Sequence, residues 1–203
     1  MQNQPETIPM QTCLLVIDAQ QSFTRRPYFS AGSLPPYLAA QNALIRAAQD
    51  GGLPIVRVFH HAPQGGADEP FATASGLVRP LQGLADFDAA LTVHKTRHSA
   101  LVGTGLDVWL VQQGVRRLIV SGIRTEQCCE TTTRHASDLG WQVLFVPEAT
   151  LTWDMPLADG SIFAAADIRA RTAAVLQGRF AQVLSLPQAL QQMAQDPAHA
   201  CAA

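Results

Sequence analysis

The feature that most constrains this chain is a series of short aliphatic runs separated by helical segments. Residues 13–17 (CLLVI) are apolar at every position rather than at alternate ones, and the run ends at Asp18. Five such residues are too few for a helix and have the pattern of a strand buried on both faces. Comparable runs follow at 55–59, 90–93 (leading to Lys95), 118–120 and 143–146, with a weaker one at 182–184. Between them, residues 37–49, 106–113, 126–139 and 162–176, and a last segment from Pro187, read as helices. Gly51-Gly52 and Gly140 stand where two of them stop. Loops at 22–36 and 62–83 interrupt the series. Strand and helix alternating in this way require right-handed crossovers and a parallel sheet covered on both faces. The expected fold is a three-layer α/β/α sandwich around a mainly parallel sheet of about six strands.

Composition fits one such domain. The 203 residues are 47% hydrophobic and 15% charged, enough for a sizeable core, and no repeat, low-complexity tract or linker divides them. The domain is expected over 12–195, with mobile segments at 1–11 and 196–203. Fourteen basic and 16 acidic residues give a formal net charge of −2, which offers no electrostatic footprint for nucleic acid or an anionic membrane. A small-molecule substrate and other subunits remain as expected partners. MQNQPETIPM lacks the basic start and apolar core of a secretory signal, and no run approaches the roughly 18 apolar residues of a membrane span, so a cytoplasmic location is expected. Cys13, Cys128, Cys129 and Cys201 contain no C-x-x-C pair, so neither a zinc knuckle nor a disulfide framework is indicated.

Ligands of open parallel sheets bind at the carboxyl ends of the strands, where Asp18, His60, Lys95 and the segment from Gly122 to Cys129 all fall. Asp18 at the edge of a core has a perturbed environment, though a turn or helix cap would also use an aspartate there. Lys95 could pair with a carboxylate on a neighbouring strand end or simply be solvated. Cys128 falls in the first turn of a helix, where unpaired N–H groups and the positive helix end are expected to lower its pKa. The same N–H groups can cradle an oxyanion, while a buried structural cysteine is the alternative. Cys129 is rotated by about 100° from Cys128, so one of the two thiols is expected in the core. His135 lies roughly 10 Å along the helix from Cys128, too far for a direct pair. Glu126 and Glu130 suit the first turn as dipole-stabilising carboxylates.

With Asp, Lys and a helix-starting Cys in this order at three strand ends, the chain resembles the isochorismatase-like cysteine hydrolases. That superfamily includes nicotinamidases, N-carbamoylsarcosine amidase and ureidoacrylate or biuret amidohydrolases. The similarity runs over about 12–190: LLVIDAQQSF is similar to the family's first-strand block, HKTRHSALVGTGLDVWL to its lysine block, and IVSGIRTEQCCETTTRHASDLG to its nucleophile block. In the last block, Gly122, Thr125, Cys128, Thr132, Ala136 and Gly140 follow the family spacing. The resemblance implies Asp18, Lys95 and Cys128 as the catalytic residues and selects Cys128 over Cys129. It also implies a cis peptide between Ile123 and Arg124 that aims the N–H groups of Arg124 and Cys128 into an oxyanion hole. The implied reaction is hydrolysis of a C–N bond in a small amide or ureido substrate through a thioester, without a cofactor, in a homo-oligomer.

Two departures qualify the resemblance. The nicotinamidase branch carries an Asp-x-His metal site after the second strand, whereas FHHAPQ puts His60 and Ala62 in those places, so no metal site is expected. Arg124 replaces a small residue, and its guanidinium is expected either to bind a substrate carboxylate or to point to solvent. Phe23, Tyr28, His60 and Trp153 are the expected pocket walls. Trp153 and Met155 also read as an exposed bulky pair suited to subunit association. Vinyl-ether hydrolysis of an isochorismate-like acid, which does not depend on the cysteine, and a catalytically silent binding domain are the alternatives.

Overall fold

The first strand, β1 (Gln11–Ile17), is buried on both faces, as its uninterrupted apolar run predicts. In the computed structural model, which describes residues 11–196, Cys13, Leu15 and Ile17 face one layer while Leu14 and Val16 face the other. The expectations for residues 1–10 and 197–203, Cys201 among them, lie outside the described residues. The remaining strands are β2 (Ile55–His60), β3 (Leu91–Lys95), β4 (Val115–Ile123), β5 (Gln142–Leu151), the short pair β6 (Met155–Pro156) and β7 (Ile162–Phe163), and β8 (Gln182–Val183). Six of them form one sheet in the order β3-β2-β1-β4-β5-β8, and every neighbouring pair is parallel. The β6–β7 pair is a separate antiparallel ribbon.

Helices α1 (Leu34–Asp50), α2 (Leu106–Gln112), α3 (Glu130–Asp138), α4 (Ala165–Leu176) and α5 (Leu186–Gln195) cover the sheet. Leu44, Ile45 and Ala48 of α1 and Ala189 and Met193 of α5 pack on the Leu14 face. Leu106 and Leu110 of α2, Ala136 of α3 and Leu176 of α4 pack on the Leu15 face. This is the expected three-layer α/β/α sandwich. No helix of the described residues is long and apolar enough to cross a membrane.

Several boundaries differ from the sequence reading for local reasons. Helix α1 begins at Leu34 because Pro35 and Pro36 occupy its first turn, where a missing N–H costs nothing. The segment read as a helix from 162 opens as β7, and α4 starts at Ala165, whose N–H is accepted by the carboxylate of Asp154, eleven residues away. Asp196, read as the start of a mobile tail, is held by Thr12 Oγ1 at 2.6 Å and by Arg117 at 2.7 Å.

The strand order reverses between β1 and β4, and at such a switch point a crevice opens at the carboxyl ends of the strands. Gly122 is what lets β4 run so close to β1 there. Its φ is 128°, and a Cβ at this position would lie 1.9 Å from the carbonyl oxygen of Ile17. Above the crevice, Phe23, Phe71 and Trp153, with Tyr37 of α1, close around Ile123 and Leu151 in a third apolar cluster.

Candidate active site

Asp18 is the first residue beyond β1 and adopts a left-handed conformation (φ 50°), which Asp tolerates better than most residues. Its N–H donates to Val58 O at 2.9 Å, so the turn that carries it is tied to β2. Gln20 then clamps the end of β2: its side-chain oxygen accepts the His60 N–H at 2.8 Å, and its amide donates to His60 O at 3.0 Å. His60 pairs in register with Lys95 at the end of β3. The ladder therefore brings together three strand ends that are far apart in sequence.

Lys95 Nζ is the centre of the cluster. It lies 2.8 Å from Asp18 Oδ2, with both side chains 0% exposed. It also lies 3.1 Å from His60 Nδ1, 3.2 Å from Cys128 Sγ and 3.1 Å from the carbonyl of Arg97. Burial pulls the Lys95 pKa down, but the charges of Asp18 and Cys128 outweigh it and leave the ammonium above its ordinary value. Burial raises the Asp18 carboxyl, against the opposing effect of Lys95 and hydrogen bonding from Lys95 and Cys128. Burial, aided by Lys95, lowers His60 to about 4, so it stays neutral near pH 7 and can accept a proton of Lys95 at Nδ1.

Cys128 enters from the far side of the switch point. The peptide between Ile123 and Arg124 is cis, as the resemblance implies. The chain then makes one π-helical turn over Thr125–Cys129, with Cys129 N–H donating to Arg124 O at 3.1 Å, before α3 begins. The Thr125 hydroxyl donates to Thr150 Oγ1 at 2.9 Å and so fastens the turn to β5. Cys128 faces the pocket at 6% exposure, while Cys129 is fully buried in the core. The expected lowering of the Cys128 pKa is reversed. Burial first, and the neighbouring Asp18 second, push its thiol up to about 12, so the helix end does not by itself make a thiolate. A base within reach becomes a requirement of any nucleophilic chemistry here.

Donor atoms of Asp18, His60 and Cys128 lie within 4.8 Å of one another, a spacing that could surround a metal ion. The Lys95 ammonium already contacts all three residues at 2.8–3.2 Å. This donor set therefore has a cation of its own, supplied by the chain. Ala62 lines the pocket without a donor where the nicotinamidase pattern has a histidine.

The pocket above the cluster has a volume of about 300 Å³. Phe23, Tyr28 and His60 line it, as expected. Trp153 does not: at 3% exposure it sits behind the wall, against Phe23, Tyr28 and Phe29 at centroid distances of 5.8, 5.4 and 5.9 Å. That burial also removes it as half of an exposed pair with Met155. Arg124 neither lines the pocket nor points to solvent. Its guanidinium is buried against Glu126 at 3.0 Å and lies 4.8 Å from the ring centroid of Tyr28, which it supports from behind. Glu126 is thus an ion-pair partner, and Glu130 pairs with Arg134 within α3 and ties α3 to α4 through Arg171 and Thr172.

Sequence reasoning did not single out Arg26, Glu69, Phe71, His98 or Gln127, which complete the lining. His98 Nδ1 lies 3.8 Å from Cys128 Sγ, whereas His135 is engaged with Ser99 at 2.8 Å. The proximity of His98 to Lys95 and of Gln127 to Cys128 in sequence were the available signals. Nothing comparable marks residues 26, 69 and 71.

The sequence model described as "Isochorismatase domain" matches residues 12–179. The ureidoacrylate amidohydrolase of Pantoea ananatis is 25% identical over 186 residues, covering 72% of this chain and 72% of its own length. A streptothricin hydrolase of Streptomyces noursei is 29% identical over 148 residues, covering 71% of this chain and 51% of its own. The solved structure of an isochorismatase from Pseudomonas putida superposes with a TM-score of 0.76 at 28% identity, covering 88% of this chain and 91% of that one. With the family's domain matched over most of its length and the fold shared with solved members, the chain belongs to the isochorismatase family and is a hydrolase.

Proposed function

We propose that this hydrolase cleaves a C–N bond of a small amide or ureido substrate through a thioester formed on Cys128. The observation that carries the reading is the contact of Lys95 Nζ with both Asp18 (2.8 Å) and Cys128 Sγ (3.2 Å) at the floor of an open pocket. Asp18 takes the thiol proton, and the sulfur forms a bond to the substrate carbonyl carbon. The N–H groups of Arg124 and Cys128 receive the oxyanion. As the C–N bond breaks, Asp18 returns the proton to the departing nitrogen. Water then attacks the thioester, Asp18 takes its proton, and the carboxylic acid leaves as the proton passes back to sulfur.

Two properties of the cluster favour this chemistry. A thiol held near 12 does not ionise alone at neutral pH, and a carboxyl raised by burial is a better proton acceptor than an ordinary aspartate. Lys95 keeps its proton throughout and offsets the negative charge shared by Asp18 and Cys128. The relative from P. ananatis is named for amide hydrolysis, which points the same way.

Ammonia release from a panel of amides, ureides and hydroxamates tests the reading. The expected result is turnover of at least one class, with Cys128→Ala lowering kcat by roughly 10⁴-fold or more on that substrate. Full activity in Cys128→Ala would overturn the thioester route and favour cysteine-independent vinyl-ether hydrolysis.

A further inference from the structure

Beyond Lys95 at the floor, Arg26 is the only arginine or lysine among the described residues lining the pocket, and it is already engaged. Its Nη2 lies 2.7 Å from Glu69 Oε1, and its guanidinium lies 4.8 Å from the ring centroid of Phe71. Glu69 is itself seated by the fold. The same oxygen accepts the Phe71 N–H at 3.1 Å, and Gly65 packs so close that a Cβ there would meet Glu69 Cγ at 2.7 Å. Phe71 in turn packs edge-on against Phe23 and His60. Arg26 and Glu69 thus join the segment after β1 to the loop after β2 in the pocket wall. Their side chains are 33% and 31% exposed, and ion pairs of that exposure add little to stability. The consequence of this pair is the charge it presents to whatever enters.

The acids and bases of known charge are paired. Asp18 is compensated by Lys95, Arg26 by Glu69, and His60 is held neutral; His98 lies beside Cys128, and Phe23, Tyr28 and Phe71 supply flat apolar walls. An uncommitted arginine at this position would be a fork for a substrate carboxylate. With Glu69 on it, an incoming carboxylate meets a like charge and must compete for the guanidinium. We propose that Glu69 is a specificity determinant: by holding Arg26 it makes this pocket select uncharged acyl groups over carboxylate-bearing ones. The inference rests on the pocket being the substrate site and names the charge class of that substrate.

Two reagents of nearly the same shape read this directly, neutral iodoacetamide and anionic iodoacetate. Their rates of reaction at Cys128 are followed by peptide mass spectrometry and each is normalised to glutathione. The native protein is expected to favour iodoacetamide by about tenfold beyond the glutathione ratio, the scale of one charge-assisted contact. Glu69→Gln, which keeps the acceptor for Phe71 N–H but frees Arg26, is expected to lower that preference about tenfold. Adding Arg26→Gln to Glu69→Gln should restore it. A ratio within about twofold of the native value in Glu69→Gln overturns the inference. The dissociation constants of benzamide and benzoate for the Cys128→Ser protein give a measurement independent of thiol reactivity. Benzoate must gain about tenfold when Glu69→Gln is added, and no gain also overturns the inference. If Cys128 resists both reagents while benzoate gains, the nucleophile reading fails and the role of Glu69 stands.

Discussion

The floor of the pocket and its walls are held in place by different means. Asp18 and Cys128 follow strands and Lys95 ends one, and their relative positions come from backbone ladders: Ile17 opposite Val58 and Gly122, and His60 opposite Lys95. The walls come from the loops after β1 and β2, which meet through one isolated backbone bridge, Gln20 opposite Pro80, and through the side-chain contacts of Gln20 on His60 and Arg26 on Glu69. A ladder sets position with many bonds, so losing one side chain at the floor leaves the geometry and removes the chemistry. A loop held by one bridge and a few side-chain contacts is cheaper to rearrange than a ladder, so changes there should alter what binds more than how fast the bound substrate reacts.

This contrast can be broken at its strongest point first. Cys128→Ala should lower kcat by roughly 10⁴-fold or more, while Cys129→Ala, one residue away in the core, should keep activity within a fewfold and lose about 1–2 kcal/mol of stability. Steady-state kinetics and urea denaturation of the two variants separate these outcomes. Asp18→Asn, which removes the proton acceptor but keeps the shape, should lower kcat by roughly 10²-fold or more.

Lys95→Met sharpens the comparison through pH. Lys95 opposes the burial that raises Asp18, so its loss should raise the Asp18 pKa further and move the acidic limb of the pH–rate profile upward. The same substitution should cost about 3–5 kcal/mol at pH 8, where a buried carboxylate is left unpaired. For a carboxyl whose folded pKa lies above its unfolded value, the native state binds the proton more tightly, and stability is lost as pH rises through the folded pKa. The deficit of Lys95→Met should therefore shrink at pH 5, and an equal deficit at both values would show that Asp18 is not the group left unpaired. The smallest effect belongs to the outer support. Arg124→Gln loses the pair with Glu126 and the stack on Tyr28, and should change KM by less than about tenfold with kcat within about threefold. A larger fall in kcat than in affinity would mean that Arg124 acts on the reacting groups.

The same contrast explains what could be read from the residues. Buried parallel strands have a plain signature, so β1 and the Asp18 that follows it are legible, whereas the residues alone leave Cys128 and Cys129 as rivals and only the resemblance to the family selects Cys128. Lys95 was legible as a strand end, although only the strand order shows that its ammonium reaches over β2 to Asp18. The direction of the Cys128 pKa was misread because helix position is local, whereas burial and the nearby Asp18 come from the tertiary fold. Trp153 is expected in the wall and Arg124 either on a substrate carboxylate or in solvent, yet both back the wall, because their partners Glu126, Tyr28 and Phe23 take up their contact surfaces. The start of α4 depends on Asp154, and the seat of Arg26 on Glu69, 43 residues away. No periodicity records contacts of that kind.

In the proposed mechanism Cys128, and neither of the other described thiols, is the working nucleophile. The most direct measurement follows loss of hydrolase activity during iodoacetamide treatment and maps the modified peptides at the same time points. The account predicts that activity falls in step with modification of Cys128 while Cys13 and Cys129, both buried, stay unmodified in the folded protein. Activity that persists after Cys128 is fully modified, or that falls in step with Cys129 instead, would contradict it.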